Sequence, residues 1–347
     1  MLTFAPDRLR QVGRAIFEAA GAPPDVARRV AEALVDANLA GHDSHGVMRI
    51  PQYLQDIRQG FIVPDARPRV LRETPSAALV DGCWAFGQVS AAFATDLAID
   101  RARQTGLAAV GLVRANHIGR LGEYSARGAA AGVVAIVTAG GFGGRGAAPY
   151  GGAGVAFGTN PISLGFPGGG GEPDALVDFA TTAVAAGKIR VAQAKGEPLP
   201  PGCLIDREGR PTTDPEDYYR GGMLLPFGGH KGYGLAVAIE LLGQCLTGAD
   251  AFAEEGRGGP AYGRSGTLIL ALDAGLFRPR EEYARAAGAF LRRVRSVPPA
   301  PGFAEVLLPG DPERRAYEAR SQRGVPIPEA TWEAIREAGR GLGLAVE

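Results

Sequence analysis

The four histidines of this chain all sit in short, glycine-flanked polar segments. His42 and His45 belong to Gly41-His-Asp-Ser-His-Gly46, His117 to Asn116-His-Ile-Gly119, and His230 to Gly228-Gly-His-Lys-Gly232. Imidazole is the side chain whose ordinary pKa lies nearest neutrality, so these segments are candidates for proton transfer. Only three lysines (Lys188, Lys195 and Lys231) stand among 37 basic residues, and one of them adjoins His230. An ammonium is a compact point charge and a guanidinium a planar fork, so a lysine kept against that bias points to a site that uses the compact cation. His45, Arg49 and Tyr53 recur at i, i+4 and i+8, one helical face if a helix runs unbroken. On it Arg49 would grip a carboxylate through two parallel N–H bonds while His45 exchanges a proton with the neighbouring atom. A solvated helix, capped by Ser44 and carrying an ordinary surface arginine, is the competing reading.

The elements that must position these groups follow from periodicity. Leu9, Val12, Ile16 and Phe17 predict a helix ending at Gly21, and Pro23-Pro24-Asp25 opens a second that ends near Gly41. Pro51 lies too far in for the first turn of a helix starting at Ser44, so a kink or fresh start is expected there, with closure at Gly60. From about Val70 short β-type runs (77–80, 107–113, 133–138, 176–179 and 268–272) alternate with helical patterns (89–104, 121–131, 182–194 and 231–247). The C-terminal part predicts a helix over 281–295, a strand over 303–308, and helices over 312–321 and 328–338. This is a mixed α/β pattern. Residues 139–160 and 250–266 are long glycine-rich loops, a kind that tends to be functional.

Composition excludes several classes. Thirty-seven acidic residues balance 37 basic ones, leaving no field to attract nucleic acid or an anionic membrane. A hydrophobic fraction of 46% supports a sizeable core, and 347 residues allow two or three domains. Cysteines 83, 203 and 245 are odd in number and form no C-x-x-C pair, which fits a reducing cytoplasm. The N-terminus lacks the basic and apolar regions of a signal peptide. The most apolar helical stretch, 233–246, is too short to span a bilayer and contains Glu240 and Gln244, so it is expected in a core or subunit interface.

Gly141-Phe-Gly-Gly-Arg-Gly146 matches G-x-G-x-x-G behind a β-type run. A Rossmann fingerprint also needs a helix at its third glycine and an acidic residue about 20 positions on. Ala147-Ala-Pro-Tyr-Gly-Gly follows instead and cannot propagate a helix, so the Rossmann reading fails. His117 falls at a strand-to-helix turn, where it could serve catalysis or merely cap the next helix. Asp178 at a strand end could hold a ribose hydroxyl, orient a histidine, or cap the strand. Gly228-Gly-His-Lys opens an apolar helix whose N–H groups would welcome a phosphate or carboxylate, and Pro309-Gly310-Asp311 opens another.

Taken in order, Gly41-His-Asp-Ser-His-Gly46 with Arg49 and Tyr53, Asn116-His-Ile-Gly119, Gly158-Thr-Asn-Pro161, Asp178-Phe-Ala-Thr181 and Gly228-Gly-His-Lys-Gly-Tyr-Gly-Leu235 resemble the type-2 malate/L-lactate dehydrogenase family. That family also holds sulfolactate and ureidoglycolate dehydrogenases, diketogulonate reductase and cyclic-imine reductases. The resemblance runs from the first helix to Pro309-Gly310, with Asp311 standing where Glu is more usual. It implies an α+β, non-Rossmann fold: a helical domain from both chain ends (1–70 and 280–347) and a mainly antiparallel cofactor domain (71–279). It also implies a homodimer using NAD or NADP. By motif, His45 and His117 would be the catalytic imidazoles, with Ser44 beside them. Arg49 would hold the substrate carboxylate, with Tyr53, Thr159 and Asn160 in the same pocket. Gly140, Asp178, Phe179, Ala180, His230, Lys231, Pro309, Gly310 and Asp311 would line the cofactor.

The expected reaction is reversible hydride transfer between a small L-2-hydroxy acid and nicotinamide, His45 being favoured as the base. Reduction of a cyclic imino acid by NADPH is the alternative. Weaker rivals are a metal hydrolase built on His42, Asp43, His45 and His117, and a non-catalytic binding protein. A cofactor 2′-phosphate would need a nearby cation such as Arg145 or Arg190.

Overall fold

The computed structural model of the chain describes residues 1–141 and 146–346; Phe142, Gly143, Gly144 and Arg145, the centre of the G-x-G-x-x-G match, lie outside the described residues. Strand β1 (Leu2–Phe4) leads into α1 (Pro6–Ala19) and α2 (Pro24–Leu39). Each helix has proline in its first turn, where the missing N–H has no helical partner to lose. Gly21 and Gly41 follow with φ of +95° and +85°, the left-handed conformation that stops each helix. The unbroken helix expected through His45, Arg49 and Tyr53 does not form. Two 3-10 turns, Asp43–His45 and Val47–Arg49, precede α3 (Ile50–Arg58), which starts afresh with Pro51 in its first turn. Ser44 caps none of them.

The middle of the chain builds a sheet. In order come β2 (Arg69–Glu73), β3 (Ala77–Asp81), α4 (Gly87–Thr105), β4 (Leu107–Val113), α5 (Gly122–Ala130), β5 (Val133–Gly140), β6 (Ile162–Phe166) and β7 (Ala175–Phe179). Next are α6 (Ala186–Lys195), the short strands β8 (Leu204–Ile205) and β9 (Pro211–Thr212), α7 (Pro215–Tyr219) and β10 (Met223–Leu224). Then follow α8 (His230–Glu240), α9 (Gly259–Tyr262) and β11 (Gly266–Asp273). Seven strands pair in the order β2-β3-β4-β11-β5-β6-β7; β3 and β4 are parallel and every other neighbour pair is antiparallel. On α4, Ala91, Ala94, Ala98 and Ala102 repeat at helical spacing and are fully buried with Val110, Leu112 and Ile269. A face of methyl groups lets the helix lie close on the sheet.

The last segment returns to the first. After α10 (Arg280–Arg295) come α11 (Asp311–Arg323), β12 (Val325–Ile327) and α12 (Glu329–Arg340), and β12 pairs antiparallel with β1. Leu9, Ile16, Phe17, Val30 and Leu34 share one buried cluster with Val325, Trp332 and Ile335, so the two chain ends form one core. Phe86, just before α4, is buried in the same cluster, its ring 5.3 Å from that of Phe17. The turn at Gly169 receives α10 instead, since a Cβ on Gly288 would come within 2.2 Å of the Gly169 carbonyl oxygen.

Three local expectations are corrected. No strand forms over 303–308, where Pro298, Pro299, Pro301 and Pro309 flank the run and cannot donate to a ladder. The helix expected from 182 begins at Ala186. The one expected to 247 leaves α geometry after Glu240 and finishes as a wider π turn over Leu241–Leu246. Among the described residues, no helix is long and apolar enough to cross a membrane.

Candidate active site

The turn bearing His45 is held from both chain ends. Asn38, at the end of α2, accepts from the Val47 N–H at 2.8 Å and donates to Asp43 at 2.6 Å. Arg320 of α11 reaches the same Asp43 at 2.7 Å and also the Asn38 carbonyl. Gly46 is required here, because a Cβ would come within 2.2 Å of the Asn38 side chain. The glycine read as a flank of the histidine motif is thus the space into which Asn38 fits.

Arg49 is braced as well. Its Nε donates to the Ser44 carbonyl at 2.7 Å and its Nη1 to Gln52 at 2.6 Å. A guanidinium carries five N–H bonds, and among the described residues these two are the hydrogen bonds that Arg49 makes through its side chain.

His117 arrives from the sheet. Its loop follows β4, and Asn116 fixes it by donating to the carbonyls of Phe61, Trp84 and Ala85 at 3.1, 2.9 and 3.1 Å. The ring stacks on His45 with centroids 5.4 Å apart and planes 20° apart. Its Nδ1 lies 2.7 Å from Tyr53 Oη, and Tyr53 is buried among Phe17 and Phe86 of the helical core. Tyr53 also accepts from Gln88 Nε2 at 2.7 Å. Ser44 Oγ lies 3.0 Å from His45 Nδ1. Helical broken-turn geometry therefore brings His45, Arg49, Tyr53, Ser44 and His117 together, although the helical face that suggested it is absent.

The electrostatics follow from burial. Desolvation, with Arg49, His42 and Arg120 adding repulsion, pushes His45 down to about 3. His117 lies well below its ordinary value for the same first reason, with Arg49 and His45 opposing its charge. Both imidazoles are therefore neutral near physiological pH, each with one ring nitrogen whose lone pair can accept a hydrogen bond. Burial pushes the Tyr53 phenol up, keeping it protonated as a donor. Tyr262, from the loop holding α9, places its ring 5.7 Å from His117, and burial raises its phenol also. Gln52, Gln88, Tyr262, Asn38 and Arg320 carried no signal in the sequence: an amide, or an aromatic in a glycine-rich loop, looks the same whether or not it faces a site.

The other expected site residues make separate local contacts. Asp178, at the end of β7, accepts from the Gly122 N–H at 2.8 Å, and burial raises its carboxyl against the pull of Arg120 and His42. His42 lies 3.4 Å from Glu313 of α11 and Asp43 is taken by Arg320, so among the described residues His42, Asp43, His45 and His117 form no cluster that could hold a metal ion. Phe179 is exposed and packs edge-on against Phe227 at 5.5 Å; Ala180 follows it. The Thr159 carbonyl accepts from Thr181, and buried Asn160 donates to Glu240 at 2.8 Å and to the Ala236 carbonyl at 3.0 Å. Gly140 packs under α8, where a Cβ would meet the Ile239 carbonyl at 2.6 Å. The Pro309 carbonyl accepts from Leu176, Gly310 has φ of +95°, and the Asp311 carboxylate is engaged by Arg295, Arg314 and the Leu308 N–H.

His230 and Lys231 stand elsewhere, exposed at the start of α8. His230 has the Tyr150 ring at 6.1 Å, and among the described residues the Lys231 ammonium has no hydrogen bond or ion pair with the imidazole cluster. Gly228 and Gly229 precede them with φ of +57° and +61°, and no side chain caps the helix. The Lys231, Gly232 and Tyr233 N–H groups already donate to the Gly228, Phe227 and Gly229 carbonyls, so what this helix start offers an anionic group is the exposed ammonium of Lys231, which has no ion pair among the described residues, and the positive end of the helix dipole.

Two neutral imidazoles beside a braced guanidinium, next to a largely antiparallel sheet, form the candidate site of this fold. The chain belongs to the malate/L-lactate dehydrogenase family, whose model matches residues 4–336. It is 38% identical to hydroxycarboxylate dehydrogenase B of Escherichia coli O157:H7 over 99% of this chain and 95% of that one. The fold superposes on sulfolactate dehydrogenase from Methanocaldococcus jannaschii with TM-score 0.90 and 33% identity, covering 99% of this chain and 98% of that one. It also superposes on Δ1-piperideine-2-carboxylate reductase from Pseudomonas syringae with TM-score 0.84 and 31% identity, covering 97% and 100%.

Proposed function

We propose that this protein reversibly oxidises a small L-2-hydroxy acid of the malate or lactate type with NAD or NADP. The observation that carries this reading is the stacked, desolvated pair His45 and His117 beside the braced Arg49. A nicotinamide held by these residues would supply the hydride chemistry at the hydroxyl-bearing carbon. The protein does the rest. Arg49 fixes the carboxylate and so places the hydroxyl; one imidazole takes the hydroxyl proton, which prevents positive charge from building on the carbon; the other holds the same oxygen. Ser44 orients His45, and Tyr53, Thr159 and Asn160 shape the pocket. Asp178, Phe179, Ala180, Gly140, Pro309, Gly310 and Asp311 form the cofactor's bed, with Lys231 and His230 at its anionic end. The same acid and clamp suit reduction of a cyclic imino acid, the activity named for the Pseudomonas syringae neighbour.

Residues 1–70 and 280–347 act in this reading as the unit that aims His45 and Arg49, and 71–279 as a non-Rossmann cofactor unit. Leu241 and Leu246, 54% and 67% exposed beside α8, support a homodimer that covers them; a monomer by light scattering removes that part. The unpaired cysteines favour a cytoplasmic setting. A panel of 2-oxo acids and one cyclic imine, each with NADH and NADPH and followed by nicotinamide absorbance, tests the main reading. Turnover of a 2-oxo acid is expected, and turnover of the imine alone overturns it in favour of the reductase.

A further inference from the structure

Tyr53 Oη lies between two groups at equal distance: Gln88 Nε2 at 2.7 Å and His117 Nδ1 at 2.7 Å. An amide N–H can only donate, and a phenol has one proton to give. With a lone pair of Tyr53 occupied by Gln88, the phenolic proton goes to His117 Nδ1. A neutral imidazole that accepts at Nδ1 carries its own proton on Nε2. Gln88 is 1% exposed on the first turn of α4, and its Oε1 is buried with no partner among the described residues. A buried acceptor left without a donor is destabilising, so packing alone gives no reason for an amide here. The preceding Gly87 is pressed on the histidine loop, since a Cβ there would meet the His117 carbonyl at 2.3 Å and the Asn116 carbonyl at 2.4 Å. That contact locks the start of α4, and Gln88 with it, to the imidazole it serves.

We infer that Gln88 is a positioning residue that acts through Tyr53 to fix the proton of neutral His117 on Nε2. His117 is then the hydrogen-bond donor to the substrate oxygen and keeps its proton, and His45 is the group that takes the hydroxyl proton. The assignment of roles rests on the dehydrogenase reading; the tautomer does not.

The test is nitrogen NMR of the full chain carrying isotope-labelled histidine near neutral pH, with His117→Gln identifying the His117 signals. The wild type should show Nε2 protonated and Nδ1 accepting. Gln88→Glu replaces the donor with an acceptor, draws the phenolic proton away, and should move the His117 proton to Nδ1. Turnover should then fall about 10²-fold, with the KM for the acid changed by less than about 3-fold. A wild type protonated on Nδ1, or a Gln88→Glu protein with unchanged signals, overturns the inference. If Gln88→Glu fails to fold, the wild-type tautomer decides, together with Tyr53→Phe, which must shift Nδ1 to an unbonded value. A tautomer that responds as stated in a protein reducing no 2-oxo acid upholds the relay and sinks the dehydrogenase reading instead.

Discussion

Two glycine-flanked histidine segments look alike in the sequence and differ in every physical respect in the fold. His45 is stacked on a second imidazole, pushed down to about 3, and set on a turn clamped by Asn38 and Arg320. His230 is exposed at the tip of α8 with an aromatic edge for a neighbour, and Lys231 beside it has no partner among the described residues. Proton exchange needs a dry, fixed nitrogen, whereas capture of an anion needs an exposed cation. The difference separates the chemistry from the grip.

The largest expected effect breaks this contrast most directly. His45→Ala should lower turnover by about 10²–10⁴-fold with the substrate KM little changed, while His230→Ala should alter turnover by less than about 3-fold. Equal losses in steady-state kinetics would mean that exposure and desolvation do not distinguish the two roles.

Next in size are the two cations. Arg49→Lys replaces a preoriented fork with a point charge and should raise the KM for the acid about 10- to 10²-fold, leaving the cofactor Kd unchanged. Lys231→Ala should do the reverse, weakening NAD(P)H about 10-fold in a fluorescence titration, with a smaller effect at high salt. A Lys231→Ala protein that loses affinity for the acid alone would move the ammonium into the substrate pocket.

Much of the frame was legible because periodicity is local. The buried stripe of α1, the proline opening of α2 and the β-type runs of β4 and β5 follow from neighbours in sequence. The short strands β1, β2, β6 and β12 were not visible, since a three- to five-residue ladder depends on a partner brought from afar; Leu2 pairs with Ile327. At the site, His45, Arg49 and Tyr53 were found by a helical spacing that the structure does not use. They still converge, because two 3-10 turns followed by α3 bring them round to a common side. Gln88 and Tyr262 were invisible for a different reason: Gln88 reaches His117 only through Tyr53 and Tyr262 only through a tertiary ring contact, and neither residue type marks chemistry.

The smallest effect measures how dry the imidazole pocket is. His45, held at about 3, and His117, held well below its ordinary value, stay neutral in the folded chain at a pH where an unfolded chain, with histidines near 6.5, already binds protons. Below about 6.5 the unfolded state therefore binds more protons, and stability must fall as pH falls through the window from about 6.5 toward about 3. Near pH 5, before carboxylates dominate, the deficit from His45 is about 2 kcal/mol, and His117 adds to it in the same direction. His45→Gln removes one such group, so its urea midpoint should drop less between pH 7.5 and pH 5 than that of the wild type. Parallel slopes would show that water reaches His45 freely, and the distinction drawn between the imidazole pocket and the α8 tip would then rest on geometry alone.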